Sequence, residues 1–135
     1  MGARPTLICG IAAALALAPG CGGGDDRKDA QDVVREFVRA VNEKDGKAFC
    51  TEVATREYVE NVTAAQGDSA VDQCQDQIER IRQPEYKLGR VVKTTVEGDR
   101  ATVTADLDQQ GRVRRQVFRL VKEDGDFRLT SGTTN

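Results

Sequence analysis

The chain contains no histidine and no tryptophan, and only 4% of its 135 residues are aromatic. Without histidine it cannot build a Ser–His–Asp triad, a histidine proton relay or most zinc sites, because each of these depends on an imidazole. No apolar run approaches the roughly 20 residues that a membrane-spanning helix needs. The formal charge of −2 is too small to indicate a nucleic-acid-binding protein. The length allows one domain.

Residues 1–20 have the pattern of a secretory signal. Arg4 supplies a positive charge, Leu7–Leu17 form an apolar run, and small residues with one proline follow at 18–20. The apolar run is too short to cross a membrane as a stable helix. The sequence therefore predicts export.

Cys21 follows this segment directly, and Gly22–Gly24 come next. A cysteine straight after a small residue at the end of an apolar run resembles the bacterial lipobox, in which the signal is cut before the cysteine and its sulfur receives a diacylglyceryl group. The resemblance implies a lipidated Cys21, a glycine-rich tether over 21–28 and anchoring to the outer face of the cell membrane. Two other interpretations stay open: an ordinary secretory signal, and myristoylation at Gly2.

Cys50 and Cys74 are the cysteines left after Cys9 departs with the signal and Cys21 takes the lipid. An even pair in an exported domain favours one disulfide. The alternative is a catalytic thiol, but the chain has no histidine to form the thiolate. We therefore predict a structural disulfide between Cys50 and Cys74.

The first half of the chain predicts helices. Asp29–Lys44 carries apolar residues at helical spacing, which gives one apolar stripe. That stripe consists of Ala30, Val33, Val34, Phe37, Val38 and Val41. A short helix is expected around residues 48–53, a third over 56–65 with Thr55 as its N-cap, and a fourth from Asp68 or Ser69 to about Gln83.

From Glu85 onward the apolar period changes to two, which predicts an antiparallel meander of about four strands. After a break at Gly89, the alternation is expected to continue through Val92, Thr94 and Val96, which would share one face. The third strand, 112–121, changes its apolar face between Val113 and Phe118, and a β-bulge near 114–115 would reconcile the two faces. Helices followed by strands predict an α+β domain over 29–135, with N-terminal helices packed on one face of a curved antiparallel sheet.

This order resembles the nuclear-transport-factor-2-like superfamily, and more narrowly the small exported lipoproteins of high-GC Gram-positive bacteria that carry one such domain. The residues that carry the resemblance are 33–42, 44–50, 98–103 and 120–129. The resemblance implies helices that cover a strongly bent sheet, as in the cystatin-like cone, which can hold a small ligand. Some relatives, such as ketosteroid isomerase and polyketide cyclases, are enzymes, so the fold alone does not assign a function.

The candidates for acid–base chemistry are Asp106, Tyr58 and Tyr86. An isomerase-like site needs a base and a polarising donor together in an apolar pocket. Asp106 alternates with Ala105 and Leu107 along its strand, so we expect it to face solvent. The tyrosines are expected to pack, with their hydroxyls near the surface. The sequence therefore predicts neither a catalytic residue nor a metal or cofactor site.

The charge is distributed unevenly, with 14 acidic and 7 basic residues in 25–79 but 8 acidic and 12 basic residues in 80–135. The third strand supplies a basic stretch that would suit an anionic partner or, alternatively, would protect an edge strand from pairing. That stretch consists of Arg112, Arg114, Arg115 and Arg119. No aromatic residues alternate with it, which argues against nucleic acid.

We therefore predict a lipid-anchored envelope protein with one non-enzymatic domain that binds a small molecule or an envelope protein. Two alternatives stay open: an isomerase- or cyclase-type enzyme, and a purely structural domain that forms a homodimer through its sheet.

Overall fold

The computed structural model describes residues 23–82 and 85–134. The predicted signal at 1–20 and the predicted lipidation site Cys21 lie outside these residues. The described chain forms four α-helices, a π-helical segment and a four-stranded antiparallel sheet. The α+β prediction is confirmed.

Helix α1 spans Gly23–Glu43. Ala30, Val34, Val38 and Val41 are buried on its apolar stripe. The helix begins six residues before the expected start at Asp29, so residues 23–28 of the predicted tether are helical. Aspartates in the first turn suit the helix dipole, and the Asp26 carboxylate receives a hydrogen bond of 3.0 Å from the Lys122 ammonium.

Three further helices follow. They are α2 (Gly46–Ala48), α3 (Arg56–Thr63) and α4 (Gly67–Glu79), with the π-helical segment Phe49–Val53 between α2 and α3. Thr55 is the N-cap of α3, as predicted: its hydroxyl accepts a hydrogen bond of 3.1 Å from the backbone N–H of Tyr58. α3 and α4 both end earlier than the apolar pattern suggested, α3 at a left-handed residue, Ala64.

The disulfide joins Cys50 in the π-helical segment to Cys74 in α4, as predicted. Both cysteines are buried. Beside the disulfide, α2 and α4 approach so closely that a Cβ on Gly46 would lie 2.8 Å from the Gln75 backbone. The cross-link and this close approach fix α4 against the preceding segment.

The strands are β1 (Tyr86–Glu97), β2 (Arg100–Gln109), β3 (Arg112–Glu123) and β4 (Asp126–Thr134), paired in chain order. Alternate residues of β2 are buried against the helices: Ala101, Val103, Ala105 and Leu107. The face that carries these residues is called the inner face below. One edge of the sheet is partly covered, because the Thr55 backbone N–H donates to the Leu129 carbonyl at 3.0 Å.

The bulge predicted near 114–115 is wrong, since β2 and β3 pair in continuous register from Arg100–Val121 to Gln109–Arg112. No bulge is needed there, because Val113 is simply exposed (65%). The irregularities lie in β1, between Leu88 and Lys93, and in β4, opposite Arg119 and Leu120.

The β1 irregularity also changes which valine faces the core. Val91 pairs with the buried Ala105 and packs against the core, whereas Val92 is 40% exposed. The expectation that Val92 shares a face with Thr94 and Val96 is therefore wrong. Extra residues in one strand shift its alternation, and this shift also bends the sheet.

Candidate functional site

The volume between the helices and the inner face is filled by aromatic rings. Phe118 is fully buried, and its ring centroid lies 5.4 Å from that of Phe37. The Phe37 ring also contacts Phe49 at 5.9 Å. These rings pack between α1, the π-helical segment and β3.

A cleft of about 440 Å³ lies instead between the helical segments and the β3–β4 hairpin. The π-helical segment, the beginnings of α3 and α4, and the β3–β4 turn form its walls. Its apolar lining comprises Cys50, Val59, Ala70 and Val71, and its polar lining comprises Thr51, Arg56, Glu60, Gly67, Glu123, Asp124 and Arg128. A surface with apolar and charged parts suits a small molecule that is itself amphipathic.

Arg128 is the most constrained charged group of the cleft. Its Nη1 donates to the Thr51 carbonyl at 2.7 Å and lies 3.4 Å from Glu123 Oε1. Its Nε is buried and has no hydrogen-bond partner among the described residues. A buried donor without a partner costs about 1–3 kcal/mol, so folding holds this guanidinium in place against a local penalty.

Two carboxylates of the cleft are committed to helix N-termini. Glu123 accepts from the Arg56 backbone N–H at 3.1 Å, and Glu60 accepts from the Gly67 backbone N–H at 3.1 Å. Each satisfies an otherwise unpaired donor in the first turn of α3 or α4. These contacts occupy acceptor positions of the two carboxylates, while the exposed Arg56 side chain lines the same cleft.

Asp106 lies on the outer face of the sheet, as expected. Its Oδ1 accepts from Arg115 Nε at 3.0 Å. This hydrogen bond, the charge of Arg115 and the nearby Arg90 hold the pKa of the Asp106 carboxyl below its usual value. A lowered pKa makes the carboxylate a weaker base, which is the opposite of what proton abstraction at neutral pH requires.

Arg115→Gln is expected to raise the pKa of Asp106 toward 3.8, as measured by carboxyl-carbon NMR titration. Because the folded-state pKa is lowered, the stabilisation from this pair is present above that ordinary value and is lost as the pH falls. Arg114→Gln is the matched control, since Arg114 is the neighbouring arginine on the other face of the strand. A pKa above the usual range in the unmodified protein would contradict this assignment.

The two tyrosines lie away from Asp106. Tyr58 packs on Phe49 with ring centroids 6.3 Å apart, and burial raises the pKa of its hydroxyl. Tyr86 begins β1 and packs against the core; its backbone N–H donates to the Asn42 side chain at 2.9 Å. The three candidates for acid–base chemistry are thus not brought together.

The four arginines predicted as one anionic-partner face lie on two faces of β3. Continuous pairing with β2 puts Arg112 and Arg114 on the side of Phe118, and Arg115 and Arg119 on the outer side. The prediction of a single face is corrected by this alternation. The alternative of an edge strand is wrong too, because β3 pairs with both β2 and β4.

The described ranges, 23–82 and 85–134, contain neither a metal-ligand cluster nor a membrane-spanning helix. No group of three or more His, Cys, Asp or Glu residues is placed to hold a metal ion. No helix there is long and apolar enough to span a membrane.

Comparison with known proteins gives structural relatives only. A cystatin-like fold protein from Burkholderia xenovorans is 23% identical, with a TM-score of 0.57 over 82% of this chain and 91% of its own. An NTF2-like protein of unknown function from Shewanella baltica is 14% identical, with a TM-score of 0.56 over 82% and 94%. The chain has the NTF2-like, or cystatin-like, fold. This confirms the fold that the resemblance implied.

A further structural neighbour is a candidate aromatic ring hydroxylase from Novosphingobium aromaticivorans. It is 19% identical, with a TM-score of 0.58 over 82% of this chain and 88% of its own. No family model matches this chain. No curated protein matches it either.

Sequence reasoning missed the cleft around Arg128 altogether. Its lining comes from four separate elements, and no local pattern links Thr51, Glu60 and Glu123. One signal was present: Arg128 sits between the apolar residues Phe127 and Leu129 of β4, next to an acidic turn.

Proposed function

We propose that this chain is an exported lipoprotein, anchored through Cys21, whose NTF2-like domain binds a small amphipathic molecule without catalysing a reaction. The observation that carries the binding role is the cleft beside the disulfide, with its apolar floor and its fixed Arg128. The salt-bridged, outward-facing Asp106 supports a non-enzymatic role.

Binding is tested by native mass spectrometry of the purified, disulfide-intact protein, followed by a thermal-shift screen of amphipathic metabolites. We expect a co-purifying molecule or a ligand that raises the melting temperature, since a ligand stabilises the state that it binds. Val71→Trp, which fills the cleft, should abolish the effect. Val62→Trp is the control, because Val62 is exposed on α3 and does not line the cleft. An apo protein with no stabilising ligand would count against the proposal.

Anchoring has a separate test. The unmodified protein should fractionate with membranes and yield an N-terminal Cys21 peptide with the mass of its acyl chains. Cys21→Ser should release the protein to the soluble fraction. Unchanged membrane association of this variant would overturn the anchor.

An isomerase- or cyclase-type enzyme is the second candidate, and the neighbouring candidate ring hydroxylase is the observation that favours it. Such an enzyme requires a base in an apolar pocket. The Asp106 carboxylate instead lies on the outer face of the sheet, beside the positive charges of Arg115 and Arg90. Turnover that survives Val71→Trp but is lost in Asp106→Asn would favour this enzyme over the binding protein.

A further inference from the structure

Helix α1 defines a long axis of the domain. Near its start, Asp26 contacts Lys122 at the end of β3. In its middle, the Gln31 side chain donates to Thr94 at 3.0 Å, and near its end the Asn42 side chain donates to the Tyr86 carbonyl at 2.8 Å. The β2–β3 turn thus lies at the end of the domain away from the start of α1, about 24 Å along the helix, at 1.5 Å per residue from position 26 to 42.

The two ends of this axis differ in charge. At one end, the start of α1 and the two nearby turns (23–29, 97–100 and 122–126) hold eight acidic and four basic residues. At the far end, residues 85–92 and 105–115 hold five basic and three acidic residues. We call these the acidic end and the basic end. The charge therefore reverses along the molecule, although the net charge is small.

The basic end projects into solvent. Every residue from 110 to 115 is exposed, so both faces of the β2–β3 hairpin are accessible there. Arg112 and Arg114 on one face, and Lys87 on the other, form no ion pair with a described residue. The alternation of the arginines between two faces thus still leaves Arg112, Arg114 and Arg115 reachable from the tip, whereas Arg119 lies farther along β3, opposite Thr102.

We infer that the basic end binds a soluble polymer with repeating phosphate charges, located away from the membrane surface. Guanidinium groups form paired hydrogen bonds to phosphate, and free charges spread along β1 and the hairpin suit a chain better than a single small anion. The hairpin tip holds no aromatic residue on which a nucleic-acid base could stack.

The choice of a polymer over membrane lipids rests on the proposed anchoring. α1 begins two residues after Cys21, so the anchor would hold the acidic end at the membrane. The basic end would then lie well beyond the Debye length of about 8 Å at physiological salt, where an anionic membrane surface attracts it little.

The test uses the purified lipoprotein in a non-ionic detergent and linear inorganic polyphosphate as the probe. We expect binding that weakens steeply with salt. Arg112→Gln with Arg114→Gln should weaken it about tenfold and lower the salt slope by about two. Arg27→Gln with Lys28→Gln is the control of equal charge change at the acidic end, and it should bind within about twofold of the unmodified protein.

Three results would overturn the inference. They are the absence of polyphosphate binding at low salt, an equal loss in the control variant, and stronger binding to phosphatidylglycerol vesicles than to polyphosphate through the same arginines. Circular dichroism of each variant checks its folding. Polyphosphate binding at the basic end does not depend on ligand binding in the cleft. Membrane fractionation of Cys21→Ser tests the anchor separately, so a failure of the anchor can be distinguished from a failure of this inference.

Discussion

Phe118→Ala is expected to lower the free energy of unfolding by about 3–5 kcal/mol, as for other buried phenylalanines. Phe118 is fully buried, and its ring meets the Phe37 ring edge-on. Truncation would remove this contact and leave a cavity between α1 and the sheet, where α1 cannot move without breaking its other contacts. Equilibrium unfolding in urea, monitored by far-ultraviolet circular dichroism, measures the change.

Val113→Ala is the matched control on the same strand. Val113 is 65% exposed, so its truncation should change the free energy of unfolding by about 0.5 kcal/mol or less. Similar losses in both variants would mean that Phe118 does not organise the core. A loss below 1 kcal/mol for Phe118→Ala would mean that neighbouring side chains can repack to fill the cavity.

The regular parts of the fold were predictable because one residue pattern dominated each of them. Buried Val34 and Val38 mark the core-facing stripe of α1, and the strict alternation of β2 marks its buried face. The start of α1 was missed because glycine and aspartate are weak helix formers, whereas the contact between Asp26 and Lys122 comes from a distant part of the chain.

The bulges were misplaced for a different reason. A change of apolar face in β3 predicts an extra residue in that strand. Val113, however, lies where the sheet projects beyond the helices and both of its faces are exposed to solvent. In β1, polar and apolar residues near Gly89 do not distinguish Val91 from Val92. The pairing with Ala105 on β2 decides between them, and that pairing is not local information.

The cleft could not be predicted for the same physical reason. Arg128, Glu123 and Thr51 meet because the π-helical segment packs beside β4, and their positions in the chain carry no shared signal. The disulfide was predictable, because eliminating Cys9 and Cys21 left one pair. The basic stretch was predictable as composition, but its division between two faces required the register of β3.

Loss of the Cys50–Cys74 disulfide is expected to lower the free energy of unfolding by about 3 kcal/mol. The bond joins residues 24 apart in sequence, and in the chain-entropy account a loop of this length restricts the unfolded chain by about that amount. For a domain of this size, the melting temperature should fall by about 10–15 °C. Thermal unfolding of the unmodified protein with and without reductant measures it, together with the double variant Cys50→Ala, Cys74→Ala.

The double variant also controls for the reductant, because its melting temperature should not respond to reduction. The unmodified protein, once reduced, should melt close to the double variant. The disulfide joins the π-helical segment to α4 beside the cleft. The reduced protein and the double variant should therefore lose ligand-induced stabilisation at temperatures where their β-sheet is still folded. An unmodified protein that melts at the same temperature in reductant would show that packing around Cys50 and Cys74 alone holds α4 in place.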